Sequence, residues 1–287
     1  MKNSLFRWSL IALLFSTFTN AQNDASLLWK IQGNGLEKPS YIYGTIHLIC
    51  QDDYVMTPVI QNTLESVDAY YAEIDFSNQE EMLMMQTTMI ADLPLSKRLN
   101  KTEYQSLTRL LKTINIDIAQ VENLSNTALL STIGTKTFPC KDLKVYELEF
   151  LKMALSQGKQ MGGLETVNEQ LELLNKNINP ESLIKILEEL NDNGTEETLK
   201  LVTHYKEQNI DAFITLMEDN SDMEEDAYYE LLTQRNQKWI EQIPEIMERH
   251  TTFFAVGAGH LGGEEGVLQL LRDRGYEVNA VNIHQTK

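Results

Sequence analysis

TTFFAVGAGHLGGEEGVLQLLRDRGYEVNAVNIH, residues 251–284, decides the fold class. An apolar run, Phe253 to Val256, breaks at Gly257 and enters a glycine-rich turn carrying His260, after which Val267, Leu268, Leu270 and Leu271 resume at helical spacing. Gly275 stops that helix, and Tyr276 to Ile283 is a second β-favouring run. Strand, tight loop, helix and strand within about thirty residues is the pattern of a βαβ crossover. His260 is thereby expected at the C-terminal end of a strand, where loops of α/β folds carry their chemistry.

The same arrangement stands near the start of the chain. Ser40 to Tyr43 runs as a strand into Gly44-Thr45-Ile46-His47, so a histidine again follows a glycine by three residues. Imidazole is the common acid/base near neutral pH and the commonest metal ligand, and the two G-x-x-H elements read as halves of one site. Leu27 to Ile31, turned through Gly33-Asn34-Gly35, is expected to pair with the Tyr41 to Ile46 strand as a hairpin. Thr57-Pro58 starts a helix, and Ala69 to Asp75 forms the next strand. Period-2 geometry puts Glu73 and Asp75 on one face of that strand. They are either a solvent-facing edge or a pair buried against a cation.

From Asn78 to about Leu232 the pattern is mainly helical. Met82, Leu83, Met85 and Met89 are spaced as an apolar face, expected in a core or a partner groove. Thr102 is read as a helix cap, Val145 to Ser156 as a helix ending before Gly158, and Asn179-Pro180 as the start of another closing near Gly194. The acidic run Met223-Glu224-Glu225-Asp226 reads as a solvated helix start. Glu165 is expected beside a helix N-terminus at a further strand end. Arg235 and Asn236 lie in a long helix, from about Asp226 to Ile243, which Pro244 is expected to interrupt.

The 287 residues, 42% of them hydrophobic, suit a packed globular chain. Residues 1–21 place Lys2 and Arg7 before an apolar run and end in small residues, the pattern of a secretory signal peptide cleaved after Ala21. Residues 22–287 are then expected to form one exported α/β domain, periplasmic or extracellular. Cleavage takes the formal charge from −18 to −20, which speaks against nucleic acid or an anionic membrane as partner. An oxidising compartment favours a bridge between Cys50 and Cys140, with two buried thiols as the plain alternative.

For chemistry, a divalent metal is one reading, with His47, His260 and Glu73 as ligands and Asp75 or Glu165 as supporting carboxylates. Gly257-Ala258-Gly259-His260-Leu261-Gly262 also spells G-x-G-x-x-G, but its place at the chain's end leaves room for one βαβ unit and argues against a dinucleotide fold. No G-x-S-x-G elbow is present. His204, His250 and His284 show no partner pattern.

Five motifs in order resemble the TraB/PrgY/GumN family, which includes the Tiki metalloproteases: Gly44 to His47, Glu73-Ile74-Asp75, Gly163 to Thr166 with Glu169-Gln170, Arg235-Asn236, and Gly257 to His260. The resemblance implies an erythromycin esterase/ChaN-like α/β fold, with a mixed sheet core, a large helical central region, and the motifs gathered in one cleft. It implies His47, His260 and Glu73 as metal or catalytic positions and Glu165, Arg235 and Asn236 as supporting site residues. The expected function is a metal-dependent hydrolase, a peptidase using Mn, Co or Zn on a peptide or protein substrate. In that scheme Glu73 or Glu165 relays the proton, and Arg235 with Asn236 stabilises the oxyanion or orients substrate. The rival is a non-catalytic binder of peptide or haem in the same cleft.

Overall fold

The computed structural model describes residues 25–219 and 225–284. The expected signal peptide, residues 1–21, and Met223 and Glu224 of the acidic run lie outside the described residues. The mixed α/β class holds. Strands β1 (Leu28–Gln32) and β2 (Ser40–Thr45) form the N-terminal hairpin, with Leu28 opposite Tyr43. Its turn passes through Gly33 and Gly35 at φ of 80° and 87°, where a side chain would be strained. A small antiparallel pair joins β3 (Ile49–Cys50) to β5 (Leu143–Lys144), and Cys50 is bonded to Cys140 beside it.

The main sheet adds β4 (Ala69–Ala72), β6 (Gln160–Gly163), β7 (Thr252–Gly257) and β8 (Glu277–Val281), in the order β6-β4-β7-β2-β1-β8. Strands β6, β4, β7 and β2 run parallel, and β1 is antiparallel to both of its neighbours. The C-terminal crossover through the helix Val267–Asp273 therefore does link parallel strands, yet the hairpin lies between them. Composition explains the placement. Thr252 to Val256 are all buried, so β7 needs neighbours on both sides, whereas β8 buries only Val278 fully and suits an edge.

The expected strand through Asp75 stops at Ala72. Glu73 and Asp75 consequently do not share a face. Glu73 turns inward, while the Asp75 carboxylate accepts hydrogen bonds from the backbone N and the hydroxyl of Ser77. The solvent-facing edge is also excluded, since β4 is internal to the sheet. Gly163 accommodates the bend: a Cβ there would lie 2.7 Å from the Asp75 amide nitrogen.

Around the sheet, Tyr43, Tyr146, Phe150 and Phe253 interlock, with Phe150 ring centroids 5.2 Å from Tyr43 and 5.1 Å from Phe253. Trp239, Ile240 and Ile243 of the helix Gln234–Arg249 join the same core. Pro244 lies inside this helix without ending it, because buried Ile243, Ile246 and Met247 anchor both sides of the missing amide donor. A second apolar cluster, including Leu107, Leu111, Leu129, Ile133, Leu183 and Leu187, sits among the central helices.

Several local readings change. Asn100, not Thr102, caps the helix Lys101–Thr113, in a reciprocal box with Glu103. The helix Pro180–Lys206 runs straight through Gly194, whose missing side chain admits Leu190 and Thr137; a Cβ would stand 2.9 Å from Leu190 Cδ2. The helix Gln79–Thr88 buries none of its residues, and Leu83 is 62% exposed, so the methionine stripe is not core.

Candidate functional site

His47, Glu73, Glu165 and His260 each stand within three residues of the C-terminal end of β2, β4, β6 or β7, the four adjacent parallel strands. Open parallel sheets bind ligands at this edge. Gly44 brings the two G-x-x-H turns into contact: a Cβ on it would lie 2.7 Å from Leu261 Cδ1 and 3.2 Å from Ala258 Cα. A side chain there would push the turns apart.

At the centre lies Arg235, two residues past a π-helical turn, Tyr229–Thr233. Such turns re-aim the residues that follow them. All five guanidinium N–H groups are committed. Nε donates to both Glu165 oxygens at 3.1 Å; Nη1 donates to Leu231 O and His260 Nε2, both at 3.0 Å; Nη2 donates to Glu73 Oε2 at 2.6 Å and Glu165 Oε1 at 2.5 Å. Glu73 Oε1 accepts from Gly257 N at 2.7 Å, and Gln170 Nε2 bridges Glu73 and Glu165. The side chains of Arg235, Glu73 and Glu165 are 9%, 7% and 5% exposed, so the ions are desolvated together.

Burial opposes ionisation of Glu73, but the charge of Arg235 and the Gly257 amide outweigh it and hold the carboxyl down at about 2. Glu165 moves the other way. Burial, reinforced by the charge on Glu73, raises it despite Arg235. Two carboxylates on one cation are thus pushed apart, which separates a permanent anion from a group that takes up a proton more readily.

His260 is buried against Trp239, ring centroids 4.4 Å apart, and its Nδ1 lies 2.7 Å from Asn236 Oδ1. Asn236 in turn donates to Glu265 O through Nδ2, which fixes its amide oxygen toward the ring. The Nδ1 proton therefore sits toward Asn236, and Nε2 accepts from Arg235. Burial first, and Arg235 next, lower the pKa of His260 to about 3, so this imidazole is neutral.

His47 is unlike it. Its side chain is 72% exposed, and Nδ1 lies 3.1 Å from Oε1 of Glu147, an atom that also accepts from Thr45 Oγ1 at 2.7 Å. The hydrogen bond to Glu147 raises the pKa of His47 toward about 9, a pull that water around the ring screens. His47 also lies close enough to feel the charges of Glu73 and Arg235. Sequence reading did not single out Glu147. The signal was present: Glu147, Phe150 and Ala154 follow helical spacing and are all buried, so a carboxylate stands in an apolar stripe.

All six candidate residues thus border one region, joined by Gln170 and Glu147, while Asp75 is left outside it. A cavity of about 410 Å³ between Trp29, Ile210 and Arg272 includes none of them; a smaller recess of about 180 Å³ is lined in part by Asn236 and Gly259.

The donors as placed do not fit a divalent metal. Both Glu73 oxygens, both Glu165 oxygens and His260 Nε2 are already satisfied, and the cation among them is Arg235. Among the described residues no group of three or more His, Cys, Asp or Glu is arranged to hold an ion. Arg235 is likewise not arranged for an oxyanion, since it has no free N–H to offer, and Asn236 spends its amide orienting His260.

The sequence profile of the TraB/PrgY/gumN family matches residues 27–280. Metalloprotease TIKI2 of Danio rerio is 29% identical over 164 residues, covering 47% of this chain and 32% of the relative. A metalloprotease TIKI homolog of Amphimedon queenslandica is 33% identical over 60 residues, 20% of this chain and 12% of the relative. The chain thus matches a third or less of the length of these curated relatives. No solved structure matches it significantly.

Proposed function

The chain belongs to the TraB/PrgY/gumN family, and from that premise we propose that it is a hydrolase cleaving peptide bonds, with residues 22–287 as one exported domain. The observation that carries the reading is the buried cluster of Arg235, Glu73 and Glu165 at the C-terminal edge of four parallel strands. Desolvating three such ions costs several kcal/mol per ion, roughly, and apolar residues of similar volume would stabilise the fold as well or better. A strand edge that nonetheless carries this cluster beside an exposed histidine has the marks of a reactive site.

In this scheme the deprotonated ring of His47, with Nε2 open to solvent, takes the proton of the attacking water, so cleavage is expected to rise as pH approaches the raised pKa of the ring. His47 returns that proton to the leaving amine, with Glu165, the more basic of the two buried carboxylates, as the group that can relay it. Glu73 remains ionised and pins Arg235, which sets the two carboxylates; Asn236 and His260 complete that frame. The names of the relatives support a peptide or protein substrate, and the Cys50–Cys140 bridge supports an oxidising compartment. Among the described residues no helix is long and apolar enough to cross a membrane.

The test is cleavage of a peptide library by the purified protein and by His47→Ala, after chelation and again with Mn²⁺, Co²⁺ or Zn²⁺ added. Cleavage by the wild type and none by the folded variant is expected. Stimulation by a metal would require the Arg235 cluster to open. Absence of cleavage under every condition, with a peptide or haem bound instead, would replace the hydrolase with a binder.

A further inference from the structure

Glu147 is 5% exposed, and only one of its two carboxylate oxygens is used. Oε1 receives the Thr45 hydroxyl and faces His47 Nδ1; Oε2 is buried with no hydrogen-bond partner. A half-satisfied buried carboxylate is destabilising unless its charge is put to use. Among the described residues no Lys or Arg is paired with it; His47 is the cationic partner that the geometry provides. The helix Tyr146–Ser156 holds it rigidly, since Tyr146 and Phe150 are locked in the aromatic core and the Tyr146 hydroxyl bonds the Val55 backbone on both sides. Thr45, at the end of β2, adds a second tether to the very oxygen that faces the ring.

We infer that Glu147 is a positioning residue for His47, holding the proton of the ring on Nδ1 so that the bare Nε2 is presented to the bound substrate. The inference rests on the hydrolase reading above. A carboxylate behind an imidazole does two things in acyl transfer: it selects the tautomer, and it stabilises the imidazolium that forms when Nε2 takes a proton. The proton passes from the attacking water to Nε2 while the Nδ1 proton stays in its hydrogen bond to Oε1. The attacked carbonyl oxygen takes up the negative charge that matches the imidazolium, until the proton is passed on to the leaving amine.

The experiment compares the full chain with Glu147→Ala, Glu147→Asp and the isosteric Glu147→Gln, using peptide kinetics and ¹⁵N spectra of the histidine rings. Once deprotonated at high pH, wild-type His47 is expected to carry its remaining proton on Nδ1; in Glu147→Ala the Nε2-protonated tautomer dominates. Turnover in Glu147→Ala falls by about 10²-fold or more, the scale of general acid–base assistance, with KM changed by less than about threefold. Glu147→Asp recovers part of the loss. Glu147→Gln, which keeps an acceptor but not the charge, retains the tautomer and loses turnover, and it serves if the alanine variant does not fold. An unchanged His47 tautomer in folded Glu147→Ala, or an unchanged pH midpoint of the ring signals in Glu147→Gln, overturns the pairing; altered spectra with unaltered turnover overturn the positioning role. If the wild type cleaves no peptide, the hydrolase reading fails by itself, and the ring spectra still decide whether Glu147 sets His47.

Discussion

His47 and His260 stand at the same place in the same motif, three residues past a glycine at the ends of neighbouring parallel strands, and their surroundings are opposite. The ring of His47 is exposed, with a carboxylate behind one nitrogen and solvent at the other. His260 is 4% exposed, with Asn236, Arg235 and Trp239 around its ring. One environment favours the protonated ring and the other forbids it. The motif therefore specifies where an imidazole is delivered, and the partners reaching in from distant helices specify what it can do. His47 is built for exchange with solvent, whereas His260 belongs to the frame that holds Arg235.

The contrast can be broken most severely at Arg235. Replacing it by Ala strands two buried carboxylates and is expected to destabilise the fold by about 3–5 kcal/mol, read in denaturant melts. The cost should shrink when Glu73 is changed to Gln in the same chain. A smaller loss is expected for His260→Ala, roughly 2–3 kcal/mol, from the cavity and the unpaired Arg235 and Asn236 groups. His47→Ala, by contrast, should cost only about 1 kcal/mol, from the water-screened pair with Glu147, while peptide cleavage is lost. Equal destabilisation by the two substitutions would erase the distinction drawn between them.

Acid sharpens the comparison without mutation. His260 titrates at about 3 in the folded chain against an ordinary 6.5, so the unfolded chain binds its proton first and stability falls as pH drops below about 6.5. Glu73, held at about 2 against 4.5, contributes stability above about 4.5 that is lost as pH falls toward 2. His47 has the opposite sign: its raised pKa contributes most below 6.5 and fades as pH rises through the folded value. Melting curves between pH 7 and 4 should therefore decline in wild type and decline less in a folded His260→Gln variant.

Much of this was legible in the chain itself. Glycine, apolar periodicity and strand-helix alternation locate β2, β7 and the helices, and they put His47, Glu165 and His260 at strand ends. The true extent of β4 was not legible, because Ala69 to Asp75 carries no glycine or proline, and the strand ends where Gly163 of β6 closely approaches the backbone of Asp75. Gly194 misled for a related reason. A glycine that terminates a helix and one that admits a neighbour's side chain are identical in sequence, and the choice lies with Leu190 and Thr137. The methionine stripe carried helical spacing, yet its residues are half-buried or exposed rather than part of the core.

By itself the sequence determined the class of fold and the positions at which reactive side chains emerge, since both follow from local periodicity and from where glycine permits a turn. Tertiary structure alone decided that Arg235 sits as the cation between Glu73 and Glu165, that His260 is neutral, and that Glu147 stands behind His47. Those are properties of dielectric and of hydrogen-bond partners. Partners separated by 70, 100 or 162 positions leave no pattern in the chain that joins them.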